Sequence, residues 1–270
     1  QLVCQRDFLS WPEDKQPLAR RVPPPSSSFS RSPFPLWAWS FPSGCFSPTL
    51  SPNRFAFPVL RGGHHKGMPE YKLVYFNMMG RAEPIRLLFA QAGIPFEDER
   101  IDRSAWPAMK DQMPFGQLPV LLVDGKKLSQ SRAIERYLAN TFGLAGKTEW
   151  ERAKVDEMTQ GVEDLLVKLQ PWLNEKSETK KIEIFRGLVE AEIVPFLNRY
   201  ERFLAENESG YFVGKELTQA DLSIFHLFWF FNRLLPGALR KHAQLYNFYC
   251  RISELPKIKE WIEHRPKTEA

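Results

Sequence analysis

Tyr75, Gly80 and Arg81 are the residues whose types and spacing most directly suggest chemistry in this chain. They fall in the stretch Tyr71 to Arg86, which reads as a short strand, a loop over Asn77 to Gly80, and a helix starting near Arg81 with Pro84 in its first turn. Proline is tolerated there because the N–H it lacks has no partner in a first turn. A loop that ends on a helix N-terminus collects backbone N–H groups and the positive end of the helix dipole, so it favours an anion such as a thiolate or a carboxylate. Tyr75 stands at the mouth of that loop. A free thiol has a pKa of about 8.5, and a neutral tyrosine hydroxyl donating to sulfur beside an arginine favours the anion; a tenfold gain in ionisation needs about 1.4 kcal/mol of such stabilisation. The plainer reading of an isolated Tyr75 is a strand aromatic packed on a helix.

These residues need elements that hold them. The strand at 71–76 precedes a helix over 81–92 closed by Gly93, and the run 95–101 suits a partly exposed edge strand. A helical turn or two follows over 105–112. Residues 119–123 form a wholly apolar strand, Asp124-Gly125 a hairpin turn, 126–128 its partner strand, and 131–141 a helix. The order βαβ then ββα describes an α/β, thioredoxin-like layer. After a polar connection at 143–148 the pattern is helical, with apolar residues at three-to-four spacing over 149–173, 179–207, 219–232, 240–253 and 256–264; Pro195 marks a kink and Pro236 a break. Thr218 to Asp221 reads as a capping box, which makes Asp221 structural. A thioredoxin-like layer invites a CxxC after its first strand, and none is present. The loop therefore reads as a surface that holds another molecule's thiol.

Composition limits the alternatives. Of 270 residues 43% are hydrophobic, enough for two modest domains with cores. Residues 1–67 carry eight Lys or Arg against three Asp or Glu, so the formal +5 belongs to them; residues 68–270 balance 29 against 29, which gives no electrostatic case for nucleic acid. The same segment holds 11 of the 22 prolines and many serines, and reads as a disordered extension, although Trp11, Trp37 and Trp39 are unusual for a linker. Pro33, Pro35 and Pro42 interrupt its apolar run, against a secretory signal. Met68, the first methionine, is the preferred start of the native protein, and an interaction tail is the competing reading. The expected boundaries are 1–67 extension, 68–147 thioredoxin-like domain and 148–270 all-α domain. Cys4, Cys45 and Cys250 form no CxxC or metal set, and one cysteine beyond residue 67 fits a reducing compartment, hence a cytoplasmic protein. No apolar stretch is long enough to span a membrane.

Tyr75-Phe76-Asn77-Met78-Met79-Gly80-Arg81-Ala82-Glu83, then Trp106, Pro114-Phe115-Gly116-Gln117-Leu118-Pro119 and Gln130-Ser131-Arg132-Ala133-Ile134, in that order, resemble the sigma-class glutathione transferases. The resemblance runs from about Met68 to the C-terminus. It implies a glutathione-binding thioredoxin-like domain followed by an all-α domain, glutathione as co-substrate, attack of its thiolate on small hydrophobic electrophiles or peroxides, and a homodimer. By the same resemblance Tyr75 orients the sulfur and Arg81 tunes that contact. Pro119 matches a cis-proline, and Leu118 pairs its backbone with the cysteinyl part of glutathione. Gln130 and Ser131 receive the γ-glutamyl carboxylate at a helix N-terminus. Trp106, Lys110 and Gln117 hold the glycine end, and Asp164 reaches the ammonium of a glutathione bound by the partner subunit. Each has a plain alternative: Ser131 as an N-cap, Trp106 and Phe115 as core, Lys110 and Asp164 as solvated charges.

Departures from the family pattern bear on specificity. Members that isomerise prostaglandin H2 to D2 carry an acidic cluster that binds divalent cations; Gln160, Glu163 and Asp164 stand there in this chain, and the amide removes charge from an oxygen-ligand site, so no metal is expected. Met79 replaces a basic side chain of those isomerases, and Ser223 and Leu227 replace an aromatic and a thiol. With Phe76, Met78 and Trp172 they suggest an adaptable apolar cleft for the second substrate. Broad conjugation is therefore favoured over prostaglandin isomerisation. A crystallin-like structural or ligand-storing protein is a third possibility, opposed by the retained Tyr75 and by the lack of an insertion in the helical half.

Overall fold

The computed structural model describes residues 67–268, so the expectations for residues 1–66, disorder among them, lie outside the described residues. A β-branched and aromatic run, polar only at Lys72, gives β1 (Tyr71–Phe76), and an apolar face over the next segment gives α1 (Glu83–Ala92), closed by Gly93 in the left-handed region at φ 71°. β2 (Glu97–Ile101) returns parallel to β1, as a right-handed crossover through a helix allows. Its charged residues suit an edge, and Lys72 of β1 spans two of them, Glu97 at 3.2 Å and Glu99 at 2.7 Å. β3 (Val120–Val123) and β4 (Lys126–Ser129) form the expected hairpin; Asp124 at φ 49° and Gly125 at φ 78° supply the two positive values that a tight hairpin turn requires. The sheet order is β2-β1-β3-β4, with β3 antiparallel to both neighbours. Short α2 (Trp106–Met109) precedes β3, and α3 (Ser131–Phe142) follows β4.

The first helix starts later than its sequence suggests. Gly80–Ala82 is a 3-10 turn, and α1 proper begins at Glu83. Pro84 has no N–H to return to the Gly80 carbonyl in α-helical fashion, so the chain enters the helix through a tighter turn in which Glu83 N–H takes that carbonyl.

The helical half begins with α4 (Glu149–Asn174), capped by a reciprocal box in which Glu151 N–H donates to Thr148 Oγ1 at 3.1 Å and Thr148 N–H to the Glu151 carboxylate at 3.4 Å. The long helix expected over 179–207 is divided: α5 (Glu178–Leu188), a π-helical turn at Val189–Ile193, and α6 (Val194–Asn207). Pro195 offers no N–H to Ala191, and the wide turn ahead of it absorbs the gap. α7 (Gln219–Leu234) carries the expected capping box, with both Thr218 N–H and Thr218 Oγ1 donating to Asp221 Oδ2. The segment expected over 240–253 splits at His242, which contacts Glu201 at 2.7 Å, into a 3-10 turn and α8 (Ala243–Ser253); α9 (Pro256–His264) closes the fold. α1 packs on α3, α7 and α9, so the helix that follows Tyr75 is clamped between the sheet and the helical half.

Candidate functional site

Strand register alone brings the sequence-predicted residues together. Val74 pairs with Val120 and Val120 with Ser129, so Tyr75, Pro119 and Gln130 leave the same end of the sheet side by side. Phe76 pairs with Ile101, which sends the segment carrying Trp106 out at that end too, and the Trp106 ring meets Phe76 edge-on at 5.7 Å.

Tyr75 is buried but for 7% of its surface, and its Oη accepts the backbone N–H of Arg81 at 3.2 Å. That bond leaves the phenolic hydrogen to be donated outward. Gly80 makes the approach possible: its φ is +40°, and a Cβ there would lie 2.7 Å from Tyr75 Oη. The Arg81 guanidinium binds the Glu163 carboxylate of α4 through two hydrogen bonds of 2.7 Å. These hydrogen bonds, donated by Arg81 to Glu163, raise the Arg81 pKa further. Burial pushes the Glu163 carboxyl up, but the hydrogen bonds and charge of Arg81, then the charge of Arg132, hold it below its ordinary value.

Beside Tyr75, the Leu118–Pro119 peptide is cis, Gln130 is held at φ 72°, and Ser131 is buried as the first residue of α3. A positive φ at a residue other than glycine is uncommon, and here it lies next to the helix N-terminus that the sequence assigns to a carboxylate. Gln117 and Lys110 are exposed and Trp106 half-buried; the Lys110 side chain lies over Gly116. Asp164 is exposed on α4 and takes Gln160 Nε2 at 3.5 Å.

A cavity of about 350 Å³ opens between the sheet layer and the helices. Phe76, Met78, Met79, Ser223 and Leu227 line it together with Tyr75 and Arg81. Trp172 is not among the residues that line it; it is buried behind the wall, 4.8 Å from the Phe185 ring and 6.3 Å from Phe230, which does face the cavity. The lining also includes Arg103, Arg132, Glu135 and His226, which sequence reasoning missed. Arg132 and Glu135 read as a solvated i,i+3 pair on a helix, and only the fold shows that α7 covers them. Among the described residues no group of three or more His, Cys, Asp or Glu comes together to hold a metal, and Glu163 is occupied by arginines.

A buried ion cluster backs the loop from the far side. Arg86, fully buried, donates to the Met78 carbonyl at 2.9 Å, to Glu83 at 3.1 Å and to Asp98 at 3.1 Å. Glu83, also fully buried, receives Trp261 Nε1 at 2.8 Å and Arg265 at 2.6 Å. Burial pushes the Glu83 carboxyl up, but Arg86, Arg265, His226 and the Trp261 N–H bring it down to about 2. His226 of α7 is bonded to the Gly80 backbone; burial pushes its pKa down to about 4 against the pull of Glu83, so the ring is neutral at neutral pH.

Comparison with known proteins places this architecture. Residues 71–140 match the family described as glutathione S-transferase, N-terminal domain, and residues 163–265 that described as glutathione S-transferase, C-terminal domain. The chain is 44% identical over 204 residues to "Glutathione S-transferase 1" of Ascaris suum, covering 74% of this chain and 99% of that protein. It is 40% identical over 204 residues to "Hematopoietic prostaglandin D synthase" of Gallus gallus, with the same coverage. The crystal structure of monomeric Na-GST-3, a glutathione S-transferase of the hookworm Necator americanus, superimposes with a TM-score of 0.69 at 39% identity, covering 74% of this chain and all of that one.

Proposed function

Because this chain belongs to the glutathione S-transferase family, we propose that the seat around Tyr75 activates the thiol of glutathione for attack on hydrophobic electrophiles held in the neighbouring cavity. The observation that carries this is the Arg81 N–H on Tyr75 Oη at 3.2 Å, which fixes the hydroxyl at the cavity wall with its hydrogen free to donate. Donation from Tyr75 to sulfur favours the thiolate, and the N-terminal end of the helix adds positive potential. The thiolate then forms a bond to an electrophilic carbon, and either a leaving group departs with the electron pair or water protonates the adduct. With a peroxide the sulfur attacks one oxygen, the O–O bond breaks and its electron pair leaves with the alcohol, and a second glutathione condenses with the resulting sulfenic acid to give the disulfide and water.

Gln130 and Ser131 at the start of α3 suit the γ-glutamyl carboxylate, the backbone of Leu118 the cysteinyl part, and Trp106, Lys110 and Gln117 the glycine end. Replacing Tyr75 by Phe tests the assignment: kcat/KM at pH 6.5 is expected to fall about ten- to a hundred-fold, the value of a hydrogen bond to a charged group, while glutathione affinity changes little. Full turnover by a folded Tyr75→Phe protein would remove Tyr75 from the mechanism.

Isomerisation of a prostaglandin endoperoxide is a second reading, supported by the 40% identity to the Gallus gallus synthase. Against it stands Met79, which is 4% exposed and gives the cavity wall an apolar side chain. We further infer a homodimer in which Asp164 serves the partner's site; the support is Phe115, 65% exposed on the loop before Pro119. We also propose domain boundaries at 68–147 and 148–270, supported by the change from sheet layer to helices after α3. No helix among the described residues is long and apolar enough to cross a membrane. The free thiol of Cys250 supports a cytoplasmic location, which fractionation of source cells would test.

A further inference from the structure

Beneath Tyr75 two arginines share one carboxylate. Glu163 holds both terminal nitrogens of Arg81 at 2.7 Å, and its Oε2 also faces Arg132 Nε at 3.5 Å. Arg132 Nη1 donates to Glu135 Oε2 at 2.8 Å, and Ser223 Oγ and Gln219 Nε2 donate to the same oxygen at 2.7 and 3.5 Å. Charge alternates along Arg81, Glu163, Arg132 and Glu135, and the series passes from the loop to α4, back to α3, and ends against α7. Glu135 is only 1% exposed, so it and Arg132 hold each other in a fixed geometry.

What Arg81 offers a neighbouring sulfur anion depends on how much of its charge Glu163 cancels. If Arg81 were the only partner of Glu163, the two would form a nearly neutral pair. Arg132 shares Oε2, the oxygen that Arg81 Nη1 uses, and so leaves Arg81 with more uncompensated positive charge.

We propose that Arg132 is a positioning residue for thiolate formation, acting through Glu163 on Arg81, with Glu135 and Ser223 holding it in place. The proposal rests on the reading of Tyr75 and Arg81 given above. Arg132 forms no part of the seat for glutathione proposed above; its effect is electrostatic and reaches the sulfur at second hand.

Several groups surround the relay, and two of them are held neutral by burial. Tyr75 faces the relay from the end of β1, Arg81 from the 3-10 turn, Glu135 from α3, Glu163 from α4, Tyr200 from α6, and Ser223, Gln219 and His226 from α7. Burial pushes the Tyr200 hydroxyl, which donates to the Met158 carbonyl at 2.6 Å, well above its ordinary value, so it stays neutral. His226 titrates at about 4 and is neutral as well. Neither Tyr200 nor His226 therefore adds a charge change near neutrality.

The test compares Arg132→Gln, Arg132→Lys and the double variant Arg132→Gln/Glu135→Gln with wild type and Tyr75→Phe. Two readouts are followed against pH: ultraviolet absorbance of the thiolate of bound glutathione, and kcat/KM for conjugation. The double variant removes both charges together, so no buried carboxylate is left without a counterion to unfold the protein. Arg132→Gln and the double variant should raise the thiol pKa by about one, so that kcat/KM is about ten-fold low near pH 6 and approaches wild type near pH 9. Arg132→Lys should recover most of the wild-type value. An unchanged pKa in both neutral variants, or a loss of rate equal at every pH, overturns the relay if Tyr75→Phe still raises the thiol pKa. If Tyr75→Phe leaves the pKa unmoved, the underlying site reading fails and takes the relay with it.

Discussion

Replacing Gly80 by alanine should disable the site without touching any group that reacts. The added Cβ would lie 2.7 Å from Tyr75 Oη, 3.2 Å from Cε1 and 3.4 Å from Cζ. An ordinary carbon–oxygen contact needs roughly half an ångström more, so the hydroxyl must swing away from the Arg81 N–H that fixes it at 3.2 Å. The bond from Tyr75 to sulfur is charge-assisted and worth about 1.5–3 kcal/mol, which corresponds to a fall of about ten- to a hundred-fold in kcat/KM at pH 6.5 and a rise of about one to two in the thiol pKa. Holding alanine at φ +40° costs stability as well, about 1 kcal/mol. Gly125 separates the two effects: its φ is +78° and nothing lies within 4 Å of a Cβ placed there. Gly125→Ala should therefore lose a similar amount of stability and keep full activity. The assay is conjugation rate and thiolate absorbance against pH, with urea unfolding of both variants alongside. A folded Gly80→Ala protein with the wild-type pH profile, or a Gly125→Ala protein as inactive as Gly80→Ala, would refute the reasoning.

Two further outcomes follow from the same structure. His226 is held at about 4, below its ordinary value near 6.5, so between those limits the unfolded chain binds the extra proton and stability falls as pH falls, by roughly 3 kcal/mol over the window; urea midpoints measured from pH 7 to 4 should show this slope, and His226→Gln should flatten it. Phe115→Ser should weaken self-association about a hundred-fold or more, since each of two equivalent rings contributes about 1.5–3 kcal/mol on burial. Sedimentation velocity checks this, and a wild-type chain that runs as a monomer at micromolar concentration removes the proposed interface.

Much of the fold was legible because local signals agreed with one another. Gly93 and Gly143 end their helices in the left-handed region, Asp124-Gly125 makes its turn, and the Thr218 box caps its helix as read. Two departures trace to proline: Pro84 tightens the entry to α1, and Pro195 opens a π turn where one helix was expected; the third is the break at His242. At the candidate site, motif order singled out Tyr75, Pro119 and Gln130, and strand register explains why they lie side by side. Trp172 is misplaced by its sequence pattern because periodicity on an amphipathic helix marks a buried face without saying what that face looks upon. Arg132, Glu135 and Glu163 escape notice as partners for the opposite reason, since charges spaced three or four apart look the same in sequence whether solvent or another helix covers them. Arg81 and Glu163 are 82 residues apart, and no local pattern announces such a bond.

The partners of Glu83 lie 178 and 182 residues further along, at Trp261 and Arg265. During synthesis the sheet, Tyr75 and the whole first helix emerge long before these residues exist. Until they arrive, Glu83 has Arg86 but neither the Trp261 N–H nor the second guanidinium, and a carboxylate short of partners in a dry interior is strongly unfavourable. The loop proposed to hold the thiol, whose Met78 carbonyl accepts from Arg86, thus rests on an ion cluster that is complete only when residues near the last described turn are present. A cut ahead of Trp261 is therefore expected to remove two of the partners of Glu83 while leaving the Arg81 N–H on Tyr75 in place.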